Sequence, residues 1–240
     1  DQVNSHEGVD SGYGFEALEN MTRWDWGQDL FEWFEYYLQE RGPKPSLDAQ
    51  IQRNDGQWRI EESWPPTDGV SFTLDLGECG NDGAFVGGGP SVVGGGQTVT
   101  VECRDINEDM DIHISGLPTL HLMAVPTFDG GQVFIEMQDA ETGMRLGHAT
   151  MDVRYHEGGY DPQTVIPGQQ ITMMMEFQGI DALLPAGHGL RFIFSDQGED
   201  YLAPACGSAC TVHILPSLSV FEAPTIERPP EAALTVPQPQ

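Results

Sequence analysis

The sequence predicts a mainly β protein: a β-sandwich preceded by one amphipathic helix and a short hairpin. Three observations predict it. From Ser115 to Asp196 apolar and polar residues alternate, and turn residues interrupt the alternation roughly every ten positions, the pattern of a sheet with one buried face. Between Trp24 and Arg41 the apolar residues instead recur at helical spacing. No apolar run approaches the ~18 residues that would argue for a membrane span.

Residues 1–22, with His6, Gly8, Gly12 and Gly14, have no period and read as loop. The helix follows over Trp24–Arg41. Its stripe is Trp26, Leu30, Trp33, Phe34, Tyr37 and Leu38, with Asp25 and Asp29 at the positive end of the dipole and Arg41 at the negative end. Gly42-Pro43 stops it. So aromatic a stripe is a packing face, buried against the sandwich or against protein outside this chain. Ala49, Ile51, Trp58 and Ile60 flank Asn54-Asp55-Gly56 as a hairpin. Trp64-Pro65-Pro66 then enforces an extended linker, and a boundary is placed near Pro66.

Ser71–Leu76 reads as a strand, and Gly77–Gly96 as a surface loop. Its Gly-Gly-Gly runs lack the Gly-Lys-Ser/Thr and the following helix that a phosphate cradle needs. A strand enters at Asp111–Ile114. The alternating stretch then folds at Gly116-Leu117-Pro118, at Gly130-Gly131, at Pro167-Gly168 and at Pro185-Ala186-Gly187-His188-Gly189. A last strand is expected around Thr211–Leu215, with another segment at Leu218–Phe221. Domains are therefore expected at 1–66, 67–222 and, as a mobile Pro-rich tail, 223–240.

Charge excludes two classes of partner. Ten Lys and Arg, of which only Lys44 is a lysine, face 38 Asp and Glu, for a formal net charge of −28. Such a surface repels nucleic acid and anionic membranes. Acid-rich, lysine-poor surfaces resemble those of proteins from salt-adapted organisms, because salt screens the self-repulsion. The four cysteines are read as local disulfides, Cys79–Cys103 and Cys206–Cys210, with free buried thiols and a zinc site using His213 as the alternatives. Disulfides imply an oxidising, extracellular compartment. The chain opens on Asp1 without a signal-peptide pattern, so it reads as a mature or processed product.

Chemistry is sparse. Asp105, Asn107, Asp109 and Asp111 alternate like a calcium loop, but Met110 and Gly116 stand where the EF-hand requires Gly and Glu. His113, His121, His148 and His213 fall in strands and read as structural imidazoles; His156 and His188 read as turn residues. There is no Gly-x-Ser-x-Gly, no Ser-x-x-Lys and no His-Glu-x-x-His. No complete catalytic constellation is present, and no cofactor is implied.

The residues do carry a family resemblance. ISGLPTLHL at 114–122, GMRLGHATMDVR at 143–154, Ile166-Pro167-Gly168 and LPAGHGL at 184–190 occur in the order found in the C-terminal jelly-roll domain of the X-Pro dipeptidyl-peptidase and cocaine-esterase family of serine hydrolases. WDWGQDLFEWFEYYL at 24–38, Trp58-Arg59 and Ser63-Trp64-Pro65-Pro66 resemble the last α/β-hydrolase helix and the linker of that family. The resemblance implies a jelly roll behind the end of a hydrolase domain, an ester or peptide substrate, and a partner hydrolase portion holding the nucleophilic Ser and the Asp. It implies that His6 is the triad base, although Asn4 stands where the family usually carries an aromatic residue. Homo-oligomers are compatible with it. The other reading is a non-catalytic binding or structural sandwich in an extracellular assembly.

Overall fold

The computed structural model describes residues 24–79, 91–104, 106–198, 201, 206 and 209–227, the side chains of 24–29 and 91 excepted. The chain divides into two compact units, one comprising Asp1–Trp64 with Pro229–Gln240 and the other Pro65–Arg228.

In the first unit, helix α1 spans Trp24–Gln39. It stops before Gly42: Glu40 already takes a left-handed φ of 55°, and the Arg41 amide reaches back to the Glu35 carbonyl at 3.0 Å. That bond, reaching back six residues, closes a widened Schellman-type end two residues earlier than Gly42-Pro43 suggests. Arg41 therefore lies beyond the last turn rather than in it. The hairpin is as expected. Strand β1 (Ala49–Gln52) pairs with β2 (Trp58–Glu61), Ile51 opposite Arg59, around a turn in which Gly56 has φ 83°. Arg59 is buried, bonds Glu61 at 2.8 Å and lies 5.9 Å from the Trp64 ring centre.

The second unit is a β-sandwich in which the strand pairings among the described residues are all antiparallel. Its strands are β3 (Val70–Asp75), β4 (Ser91–Val93), β5 (Val99–Cys103), β6 (Ile112–Gly116), β7 (Thr119–Pro126), β8 (Gln132–Asp139), β9 (Arg145–Asp152), β10 (Ile171–Glu176), β11 (Ile180–Leu184), β12 (Leu190–Ser195), β13 (Val212–Ile214) and β14 (Val220–Thr225). One sheet runs β5-β12-β8-β9; the larger one holds the remaining eight.

The larger sheet is simpler than its strand count. β6 and β7 are two halves of one bent strand, and β10 and β11 are two halves of its neighbour. Both break at the same height: the Phe177 amide donates to the Pro118 carbonyl at 2.8 Å, across the gap between the halves. Gly116 makes the bend. Its φ is 138°, and a Cβ there would stand 2.7 Å from Cγ of Pro224 on β14, so only glycine fits both the backbone and the neighbour.

Alternation now has its physical meaning. Leu120, Leu122 and Ala124 of β7 point inward with Met173 and Met175 of β10 and Phe221 of β14, all essentially inaccessible. Phe192 of the smaller sheet meets Phe221 with ring centres 5.1 Å apart, and Phe221 meets Phe177 edge-on at 5.8 Å. Burying such rings contributes roughly 1.5–3 kcal/mol each. A disulfide joins Cys79 to Cys103, and another joins Cys206 to Cys210.

Two expectations change. The span 77–96 contains a strand: Val92 of β4 lies opposite His213 of β13. The segment from residue 223 does not leave the fold at once, because β14 continues through Thr225, with Ala223 and Ile226 buried. Proline at 224 is tolerated where the strand meets the glycine at the bend, so the Pro-rich composition misplaced the end of the domain. The glycine runs at 87–89 and the tail beyond 227 lie outside the described residues.

Candidate functional site

His6, the one residue assigned a catalytic role from the sequence, lies outside the described residues. Among the described residues the fold brings chemistry-bearing side chains together in two clusters that resemble catalytic or metal sites.

The first sits on β6 and β11. Antiparallel register places Asp181 directly opposite Ser115 and leaves His113 one step along the same face. Asp181 accepts Ser115 Oγ–H at Oδ2, 2.8 Å, and contacts His113 Nε2 through Oδ1, 2.9 Å. The three residues are those of a hydrolase triad, but the order is wrong. A triad places imidazole between hydroxyl and carboxylate so that the imidazole removes the hydroxyl proton. Here the carboxylate stands between the other two, and Ser115 is inaccessible. The cluster ties two strands together across the sheet and does not activate a nucleophile. No sequence signal announced it, since Ser115 and Asp181 are 66 residues apart.

The second lies where the turn before β12 meets the turn after β8. Asp139 Oδ1 accepts the amides of Glu141 and Thr142 at 2.9 and 3.1 Å, while Oδ2 stands 2.8 Å from His188 Nδ1. Glu141 Oε2 in turn accepts the Gly189 amide at 2.6 Å. Burial raises the Asp139 carboxyl, yet the hydrogen bonds from His188, Thr142 and Glu141 outweigh it and hold the group below its ordinary range. Asp139, Glu141 and His188 each bring a ligand atom within 4.8 Å of the others, so these residues could hold a divalent ion. Doing so would require His188 to release Asp139. Their present bonds account for all three as a clasp on the Pro-Ala-Gly-His-Gly turn.

The other side of that turn explains the alternating acidic run. Asn107 Nδ2 donates to the Pro185 carbonyl at 2.8 Å, and Asp111 Oδ1 accepts the Ala186 amide at 2.9 Å. Both residues anchor a turn rather than outline a calcium loop; Asp105 lies outside the described residues. The Cys206-to-His213 zinc alternative gives way because Cys206 and Cys210 are bonded to each other. His148 and His156 are satisfied as strand and turn residues, by Tyr201 Oη at 3.1 Å and by the Val153 carbonyl at 2.9 Å.

What remains is a surface rather than a site. On α1, Leu30, Trp33, Phe34 and Tyr37 are 40–42% exposed and Leu38 is 71% exposed. Among the described residues the rings stack on one another, Trp33 on Tyr37 at 4.7 Å and on Phe34 at 5.3 Å. Trp26 shares the stripe, but its side chain is outside the described residues.

Residues 109–204 match the family described as the X-Pro dipeptidyl-peptidase C-terminal non-catalytic domain. This is the stretch whose turns carry the resemblance read from the sequence. Solved structures share the fold at low identity. An aminopeptidase from a marine sediment archaeon, Thaumarchaeota archaeon, superposes with a TM-score of 0.58 at 11% identity, over 85% of this chain and 44% of its own. An α-amino acid ester hydrolase gives 0.57 at 13%, over 82% and 44%. A CocE/NonD family hydrolase from Staphylococcus aureus gives 0.56 at 12%, over 89% and 46%. The chain thus spans less than half the length of each. No curated protein matches it.

Proposed function

We propose that this chain, in which residues 109–204 match a non-catalytic C-terminal domain, is the C-terminal part of a serine hydrolase of the acyl-esterase or X-Pro dipeptidyl-peptidase type. In this reading the sandwich shapes the substrate cleft and supports assembly. The nucleophilic Ser and the Asp lie in a hydrolase portion outside the chain, and His6 supplies the base that takes the Ser proton as the acyl carbon is attacked.

The observation that carries the reading is the aromatic stripe of α1. A helix whose Trp33, Phe34 and Tyr37 remain two-fifths exposed has an apolar face of the kind that marks a contact with further protein. The rival, a free-standing binding or structural sandwich, requires no further protein on that face. The absence of a correctly ordered Ser–His–Asp relay among the described residues also supports a domain that assists chemistry done elsewhere.

Intact mass of the native protein, combined with labelling by an active-site fluorophosphonate, tests the proposal. A labelled polypeptide that is longer than this chain or associated with it is the expected result. Absence of label from every associated chain rejects it.

A further inference from the structure

We propose that the outer face of the larger sheet carries a binding site for a soft monovalent metal ion, copper(I), formed by His121, Met123 and Met174. The argument begins with register. β7 and β10 are antiparallel neighbours, with Met174 directly opposite His121 and Thr172 opposite Met123. Alternation turns Leu120, Leu122, Met173 and Met175 into the core, so His121, Met123 and Met174 share the opposite face. Directly opposed Cβ atoms lie about 5 Å apart and diagonal ones about 7–8 Å. An imidazole and two flexible thioethers span such distances.

Three observations distinguish this group from an ordinary sheet surface. The Thr172 hydroxyl donates to Met123 Sδ at 3.1 Å, so the sulfur leans across the strand gap onto β10, the strand that carries Met174. Met174 is 50% exposed, whereas its neighbours Met173 and Met175 are core residues; packing explains those two methionines and leaves the middle one. His113, His148, His156 and His188 each have a hydrogen-bond partner. His121, like His213, has none among the described residues, and of the two it is His121 that lies directly opposite Met174.

The donor set selects the ion. Thioethers are neutral and polarisable and favour copper(I) over hard divalent cations, while imidazole accommodates either. Glu176 and Glu222 both lie opposite Thr119, diagonal to His121 on its two sides, and their charge favours a cation without ligating it. A hard site of His121 with these carboxylates is the competitor. Among the described residues the gathered carboxylate–histidine cluster is Asp139, Glu141 and His188, not this one.

Silver(I), which matches copper(I) in charge and softness and does not oxidise in air, is the probe. The intact chain, labelled at its methionine methyl groups, is titrated with silver nitrate in chloride-free buffer and followed by NMR. One equivalent is expected to shift the Met123 and Met174 methyls and the His121 ring together. The volume-conserving variants Met123→Leu and Met174→Leu should each weaken binding by about tenfold or more, while Met144→Leu in the β8–β9 turn should leave it unchanged. Absence of a saturable shift overturns the proposal. So does binding retained by the Met123→Leu/Met174→Leu double variant, or displacement of silver by an equal concentration of zinc(II).

Discussion

Asp139 and His188 stand 49 residues apart in sequence and 2.8 Å apart in space, and their contact joins the turn after β8 to the turn before β12. The carboxyl is nearly inaccessible and still sits below its ordinary range, because the ring of His188 and the amides of Thr142 and Glu141 all favour its charged form over the opposing effect of burial. A depressed folded value fixes the direction of its pH dependence. The stabilisation is complete above the unfolded pKa of about 3.9 and is lost as pH falls through the lower folded value. Asp139→Asn should therefore cost about 1.5–3 kcal/mol near neutrality in urea unfolding. The gap between variant and parent should close as the solution becomes strongly acidic. A gap that stays constant down to that range contradicts the clasp.

Gly116 is the second point at which one residue determines geometry. Alanine there combines an unfavourable φ of 138° with a Cβ 2.7 Å from Pro224 Cγ. We expect Gly116→Ala to lower stability by about 1–3 kcal/mol, read from the urea midpoint at unchanged slope. An unchanged midpoint would show that the paired bend of β6–β7 and β10–β11 does not depend on glycine.

The charge of −28 makes a prediction that does not depend on any one contact. Few basic residues are available to offset it, and several are already engaged: Arg191 bonds Glu102 at 3.0 Å, and Arg104 pairs with the same carboxylate. The melting temperature should rise between low and molar potassium chloride as self-repulsion is screened. A flat or falling curve removes the salt-adapted reading.

Most of the sandwich was legible because period-two alternation is imposed by burial on one face, and the strands from β7 to β12 bury that face almost without exception. The helix was legible for the matching reason at its own period. What was missed depends on tertiary neighbours. β4 is three residues long inside a glycine-rich span and exists because β13 offers it an edge. The proline at 224 signalled a tail, yet β14 continues past it. Helix α1 ends early because Glu40 adopts a left-handed turn that no residue type there predicts. The Ser115–Asp181–His113 and Asp139–His188 contacts were invisible because each joins segments dozens of residues apart through sheet register. The turns were the reverse case: Gly116-Leu117-Pro118 and Pro185-Ala186-Gly187-His188-Gly189 were noticed for their composition, and the fold supplies the reasons for them.

His6 and Ser115 offer opposite expectations in the proposed enzyme. In the complete protein, His6→Asn should lower kcat/KM for a small ester by about a thousandfold or more, the scale of losing a triad base. Ser115→Ala should leave it unchanged, since Ser115 is buried and its hydroxyl is held by a carboxylate, Asp181, rather than by an imidazole. Comparable activity in His6→Asn would remove His6 from the relay.

In the proposed enzyme the chemistry is done by a serine outside these residues. Peptide mapping of the fluorophosphonate adduct on the native protein tests it directly. We predict a single adduct on a serine that does not belong to this sequence. An adduct on Ser115, or on any other serine of the chain, would contradict the account.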